Sequence, residues 1–138
     1  MVAYSFNKRF VPGIVSGVKQ QTIRAPRLGV QHHAYPGSGL QLFTGLRTKH
    51  CRLIGRAVCV STCLVILDLR AGRVYYPDAL EPLSSDDDLA RFARRDGFSS
   101  WGDLVAFWRA THPGVDQFRG VLITWGDTFA PATIAQAA

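Results

Sequence analysis

The chain has 138 residues, 47% of them hydrophobic, and a formal net charge of +6 at pH 7 with a pI near 9.7. That length allows one domain with a single core, and that composition excludes a disordered chain. No apolar run approaches the about eighteen residues that read as a membrane span, and Met1–Phe6 lacks the basic start and long apolar stretch of a signal peptide, so the expected compartment is the cytoplasm.

In chain order, Val2–Phe6 reads as a first strand. Asn7–Gly17 reads as a short helix with Phe10, Ile14 and Val15 inward; Pro12 fits only in its first turn, and Gly17 is a stop. Val18–Arg24 is a second strand. Ala25–Ser38 is a loop rich in Pro, Gly and His, of the kind that rims or covers a pocket. Its His32-His33 pair does not make a metal site, because adjacent residues rarely converge on one ion and no Cys or carboxylate cluster is near. Gly39–Leu46 is a strand with Leu40 and Leu42 on one face, opened by the Pro36-Gly37 turn.

Arg47–His50 is a polar tip. Cys51–Leu69 is long enough for one bent strand or for two strands broken near Thr62, and Arg73–Tyr76 adds a short one. Asp86-Asp87-Asp88 open a helix at the positive end of its dipole, Leu89, Phe92 and Ala93 form its inner stripe, and Asp96-Gly97-Phe98 break it. Ser100 caps a further helix, with Asp103 three residues on, and Trp101, Leu104, Val105 and Trp108 share one of its faces. Thr111–Gly114 ends it, Phe118–Trp125 is the last strand, and the tail from Asp127 carries no chemical signal and is expected to be mobile. The whole chain, 1–138, reads as one domain. Strand, helix, several strands, two helices and strand is an order that suits an α+β fold, a small mixed β-barrel with helices outside.

Cys51, Cys59 and Cys63 are odd in number and lack Cys-x-x-Cys spacing. Cys59 and Cys63 lie in apolar runs, where reduced buried thiols are the default. Positive charge comes mostly from arginine, which favours phosphate and base stacking. A basic surface therefore suits a nucleic acid or a nucleotide, and charge alone does not choose between them.

The chemistry concentrates in Gly17–Arg24. On an extended segment Thr22 and Arg24 share one side, and a turn after Gly17 would return the Lys19 amine to the Thr22 hydroxyl. A hydroxyl nucleophile needs a base that activates it. A desolvated lysine has a lowered pKa and can accept a threonine proton. On this reading Lys19 is the base and Thr22 the nucleophile.

Gly17, Lys19 and Thr22-Ile23-Arg24, preceded by Arg9-Phe10, resemble the N-terminal motif of the ASCH superfamily, and most of all the small bacterial amidohydrolases that deacetylate N4-acetylcytidine. The resemblance is strong over residues 5–24. It is weaker at Pro36–Arg47, at Asp96-Gly97-Phe98 and over His112–Trp125. It implies a barrel similar to the PUA fold. It also implies a metal-independent amidohydrolase, without cofactor, acting on N4-acetylcytidine or related acylated cytidines and cytosines. The alternative it allows is an RNA-binding domain with ribonuclease activity. A Glu completes the relatives' site. Here ungapped alignment puts Gly97 at that place, and one inserted residue puts Asp96 there; Asp96 is preferred, because Asp96-Gly97-Phe98 looks like the Glu-Gly-Phe turn of ASCH domains. Glu81, the only Glu, sits in an irregular Pro-rich segment and is a poorer candidate. Arg24 and Arg9 are candidates to bind substrate. The expected partners are an acylated pyrimidine nucleoside and RNA, with no membrane.

Overall fold

A computed structural model describes residues 1–27 and 32–132. Alternating apolar side chains build its first sheet. β1 (Val2–Phe6) buries Tyr4 and Phe6, and β3 (Gly39–Thr44) buries Leu40, Leu42 and Thr44. The two strands run parallel, with Val2 opposite Leu40. β4 (Arg52–Val58) pairs antiparallel with β3, across a register shift between Leu42 and Phe43. A last short strand, β8 (Ala130–Pro131), lies against Gly55 and Arg56. It fits because position 55 has no side chain; a Cβ there would meet the Ala130 carbonyl and the Phe129 ring. Asp127–Ala132 is therefore docked on the sheet, where a mobile tail was expected, and the remainder of that tail lies outside the described residues.

The second sheet is wholly antiparallel, in the order β2 (Gln21–Arg24), β7 (Gln117–Thr124), β5 (Ser61–Asp68), β6 (Arg73–Tyr75). The chain crosses between sheets at Cys59–Val60. Cys59 N donates to Ser38 O at 2.9 Å and its carbonyl accepts from Gly37 N, whereas Val60 N donates to Thr124 O of the other sheet at 2.7 Å. The stretch 51–69 is thus two strands, broken before Thr62 because the Pro36-Gly37 turn holds the Cys59 backbone. Cys59 is buried, Cys63 half-buried and Cys51 exposed, and all three thiols are free.

The fold is α+β as expected, but its ladders make two four-stranded sheets, and among the described residues no pairing closes them into a barrel. Edge strands β1 and β2 are bridged by a side chain: Arg24 Nη2 donates to Ser5 O at 2.8 Å.

Three α-helices among the described residues complete the fold. The segment expected as one helix over 7–17 is a 3-10 turn, Lys8–Phe10, capped by Asn7, followed by α1 (Val11–Ser16). The restart at Val11 puts Pro12 in the first turn, where its missing N–H costs nothing. Gly17 ends α1 with φ +86°, a left-handed value that favours glycine. Ile14 is fully buried; Val15, expected inward, is exposed. The second strand starts only at Gln21, because Val18–Gln20 turn away to meet other elements. α2 (Asp86–Arg95) is capped by Ser85, whose hydroxyl accepts from Asp88 N, and the three aspartates fill its first turn. Leu89, Phe92 and Ala93 are its buried stripe. α3 (Trp101–Thr111) is capped by Ser100 and buries Leu104 and Trp108, with Trp101 and Val105 half-buried. No helix among the described residues is long and apolar enough to cross a membrane.

Candidate active site

The segment after Gly17 is held by backbone from three directions. Lys19 N donates to Gly13 O at 2.9 Å, and Gln20 N donates to Arg95 O at the end of α2 at 2.8 Å. Gln20 O in turn accepts from Trp125 N at 2.9 Å. This anchoring drives the Lys19 side chain inward until only 3% of the residue is exposed. Its amine donates to the Asp96 carbonyl and lies 3.9 Å from Asp96 Oδ1. Lys19 thus caps the negative end of α2, an arrangement that dipole and carbonyl both favour.

Asp96 is the C-cap of α2 and is 4% exposed. Gly97 follows with φ +95°, and a Cβ on it would stand 2.8 Å from Lys19 Cδ and 3.0 Å from Phe10 Cδ1. The bare glycine is what lets the lysine pass.

Burial controls the ionisation of both groups. Desolvation pulls the Lys19 amine down to about 8; the Asp96 carboxylate holds it up, and the Arg24 cation adds to the fall. Desolvation likewise lifts Asp96 to about 6, against the opposing pull of Lys19, Gln21 and Arg24. Gln21 is near enough to act on that carboxyl, yet its Nε2 falls short of a hydrogen bond. Gln21 Nε2 and Asp96 Oδ1 are both buried without one.

β2 presents the remaining polar groups. Thr22 is 5% exposed, and its Oγ1 accepts from Arg24 Nε at 3.1 Å. The two residues share a side of the strand, as the alternation requires. The Arg24 guanidinium lies over the rings of Tyr4 and Phe6, at 5.2 and 4.8 Å from their centroids. Desolvation lowers its pKa, the largest of several influences.

Lys19, Thr22, Arg24 and Asp96 line one cavity of about 280 Å³, set between edge strands β1 and β2. Of the residues singled out in the sequence, these four converge. Arg9 does not line it: its guanidinium pairs with Asp103 at 2.8 Å and covers the cluster of Phe10, Phe98 and Phe107. Glu81 is exposed and does not line it either. Of the loop expected to rim a pocket, Ala25 contributes to the lining and residues 28–31 lie outside the described part. His33 joins Tyr4 OH at 2.9 Å and Ala25 O at 2.7 Å. No group of three or more His, Cys, Asp or Glu gathers among the described residues.

The sequence reading missed the aromatic part of the lining. Phe107, Trp108, His112 and Phe118 also line the cavity. Trp108 and His112 stack, 4.5 Å apart and 21° from parallel. Their i, i+4 spacing at the end of α3 was the available signal, hidden because an aromatic stripe reads first as core. Ionisable groups and aromatic rings around one cavity suit a flat, polar-edged molecule.

No family model and no curated protein matches the chain. Among solved structures, the chain is similar to a point mutant of the ASCH protein from Zymomonas mobilis, at 18% identity and a TM-score of 0.50, over 97% of this chain and 76% of that one. It is similar also to the ASCH protein of the same organism, at 16% identity and a TM-score of 0.50, over 97% of this chain and 73% of that one. Two sheets, three helices and this likeness together give the chain the fold of ASCH domains.

Proposed function

We propose that the protein is an amidohydrolase that removes the acyl group from N4-acetylcytidine or a related N4-acylated cytidine or cytosine. The observation that carries this reading is a buried lysine with its pKa brought to about 8 in the same cavity as a threonine hydroxyl already hydrogen-bonded to an arginine. A base with a pKa near the working pH is the useful one.

In this mechanism neutral Lys19 takes the Thr22 hydroxyl proton as Oγ1 bonds to the acyl carbon. Arg24, which donates to Oγ1 at rest, stabilises the alkoxide and then the tetrahedral oxyanion. The C–N bond breaks, and the Lys19 ammonium returns its proton to the departing N4. Water then attacks the acyl-threonine ester, Lys19 receives the water's proton, and Thr22 leaves with a proton as the carboxylic acid is released. Asp96 acts on the lysine: it holds the amine in place and keeps its pKa from falling so far that the amine becomes too weak a base to take the Thr22 proton. The aromatic wall takes the pyrimidine ring.

The test is release of cytidine from N4-acetylcytidine, followed by absorbance, with EDTA present. The parent should release it, and Lys19→Ala and Thr22→Ala should not. A Thr22→Ala protein that hydrolyses at the parent rate would overturn the assignment of the nucleophile, and a parent with no activity on any N4-acylcytidine would overturn the reading.

A further inference from the structure

Charge is divided unevenly along the chain. The first 67 residues contain nine lysines and arginines and no aspartate or glutamate; all ten acids, with seven arginines, fall in the remaining 71. The acid-free part supplies, among other elements, the 3-10 turn, α1, β3 and β4. Between these elements lies an open groove of about 810 Å³, nearly three times the cavity volume. Lys8, Lys49, His50 and Arg52 are exposed along it, over a floor that includes Val11 and Leu53, and no acid lines it. Among the described residues no carboxylate pairs with Lys8, Lys49 or Arg52. By contrast, Arg91 and Arg109, in the acidic half, pair with Asp88 and Asp116.

The loop that carries Lys49 is built to hold its shape. Thr48 N and Oγ1 both donate to Gly45 O, His50 N donates to Thr48 Oγ1, and Arg47 sits at φ +67°, a left-handed value few side chains adopt. The groove and the cavity also share a wall. Lys8 and Val11 face the groove, Asn7 and Phe10 line the cavity, and Ser5 of the cavity accepts from Leu46 N of the groove loop at 3.2 Å.

We infer that this groove holds the phosphodiester backbone of a single-stranded nucleic acid whose acylated cytosine occupies the cavity. The inference rests on the amidohydrolase reading and deepens it: the substrate is the modified base within a polymer rather than the free nucleoside. Unpaired cations in a concave, pre-shaped channel, next to a site sized for one base, match a flexible chain of phosphates. A flat anionic membrane would not follow a concave surface.

The experiment uses a labelled single-stranded RNA of ten nucleotides with one central N4-acetylcytidine. Its binding to the full chain is followed by anisotropy between 50 and 300 mM salt. Lys8→Ala/Lys49→Ala/Arg52→Ala should weaken binding at least about tenfold at 50 mM and reduce the log–log salt slope by about 2, as loss of three phosphate contacts requires. Arg91→Ala/Arg109→Ala should bind like the parent. All three altered groove residues are exposed, and circular dichroism checks that the fold survives. Turnover supplies the second arm: kcat/KM for the oligonucleotide should exceed that for N4-acetylcytidine at least about tenfold, and the triple variant should lose that advantage. Parental affinity and slope in the triple variant, or an equal loss in the control, overturns the groove. Equal kcat/KM for polymer and nucleoside overturns the polymer substrate while the amidohydrolase reading stands. Hydrolysis of neither overturns the reaction and with it the assigned substrate.

Discussion

Asp96→Asn is the substitution that tests the site most directly. It keeps the shape of the side chain and removes its charge. The Lys19 amine lies 3.9 Å from Asp96 Oδ1. At that distance the attraction is about 4 kcal/mol at an effective dielectric near 20, and about 1 kcal/mol in water. The Lys19 pKa should therefore fall from about 8 by about one to three units, since burial and Arg24 remain to disfavour the cation. If neutral Lys19 is the base, the acid limb of kcat/KM follows it, from about pH 8 in the parent to about pH 5–7 in the variant. The plateau should drop as well, because an amine of lower pKa is a weaker base toward the Thr22 hydroxyl.

Stability gives an independent reading of the same pair. Asp96 is raised from 3.8 to about 6, so between those values the folded state binds the extra proton and stability falls as pH rises. Lys19 is lowered from 10.5 to about 8, so in that window the unfolded state binds the extra proton and stability rises with pH. Urea unfolding of Asp96→Asn should lack the acidic fall, and its alkaline rise should begin at lower pH. An acid limb that stays near pH 8 in Asp96→Asn would refute the assignment of Lys19 as the titrating base.

Gly97→Ala should lose about 2 kcal/mol or more in urea unfolding, from left-handed strain and from a Cβ pressed 2.8 Å from Lys19 Cδ. Hydrolysis should fall further at temperatures where the variant is folded, and Gly97→Asn, which tolerates the backbone but still meets the lysine, should not restore it. Arg24→Lys keeps a positive charge but loses the simultaneous contacts to Thr22 Oγ1 and Ser5 O; kcat should drop about 10² to 10³-fold with a smaller change in KM. Leu42→Ala, in a fully buried position, should cost about 2 to 5 kcal/mol by thermal or urea denaturation. Trp125→Phe should cost less than Leu42→Ala, because the lost ring area is offset by removal of a buried indole N–H that has no partner.

Much of this protein is local, and what is local could be read from its residues. The period of two in Tyr4 and Phe6 or Leu40 and Leu42 marks strands because each side chain needs only its own strand to choose a face. Asp86-Asp87-Asp88 and Ser100 start helices, and Gly17 and Gly97 end segments, through bonds and backbone angles within a few residues. Thr22 and Arg24 share a side by the same alternation. The errors lie where two distant segments decide. The strand before Gln21 is missing because Lys19 and Gln20 hydrogen-bond to α1, α2 and Trp125 in place of a ladder. β8 was unreadable because its signal is a glycine seventy-five residues earlier that leaves room for the Ala130 backbone. The barrel stays open among the described residues, with the Arg24 side chain bridging edge strands β1 and β2. The sequence alone determined the motif, the strand faces and the helix ends. Only tertiary structure put the α2 end beside Lys19. It brought the Asp96 side chain to the amine, gathered aromatic rings into the same cavity, and set both pKa values, because desolvation and Coulomb energy depend on what packs around a charge and not on its neighbours in the chain.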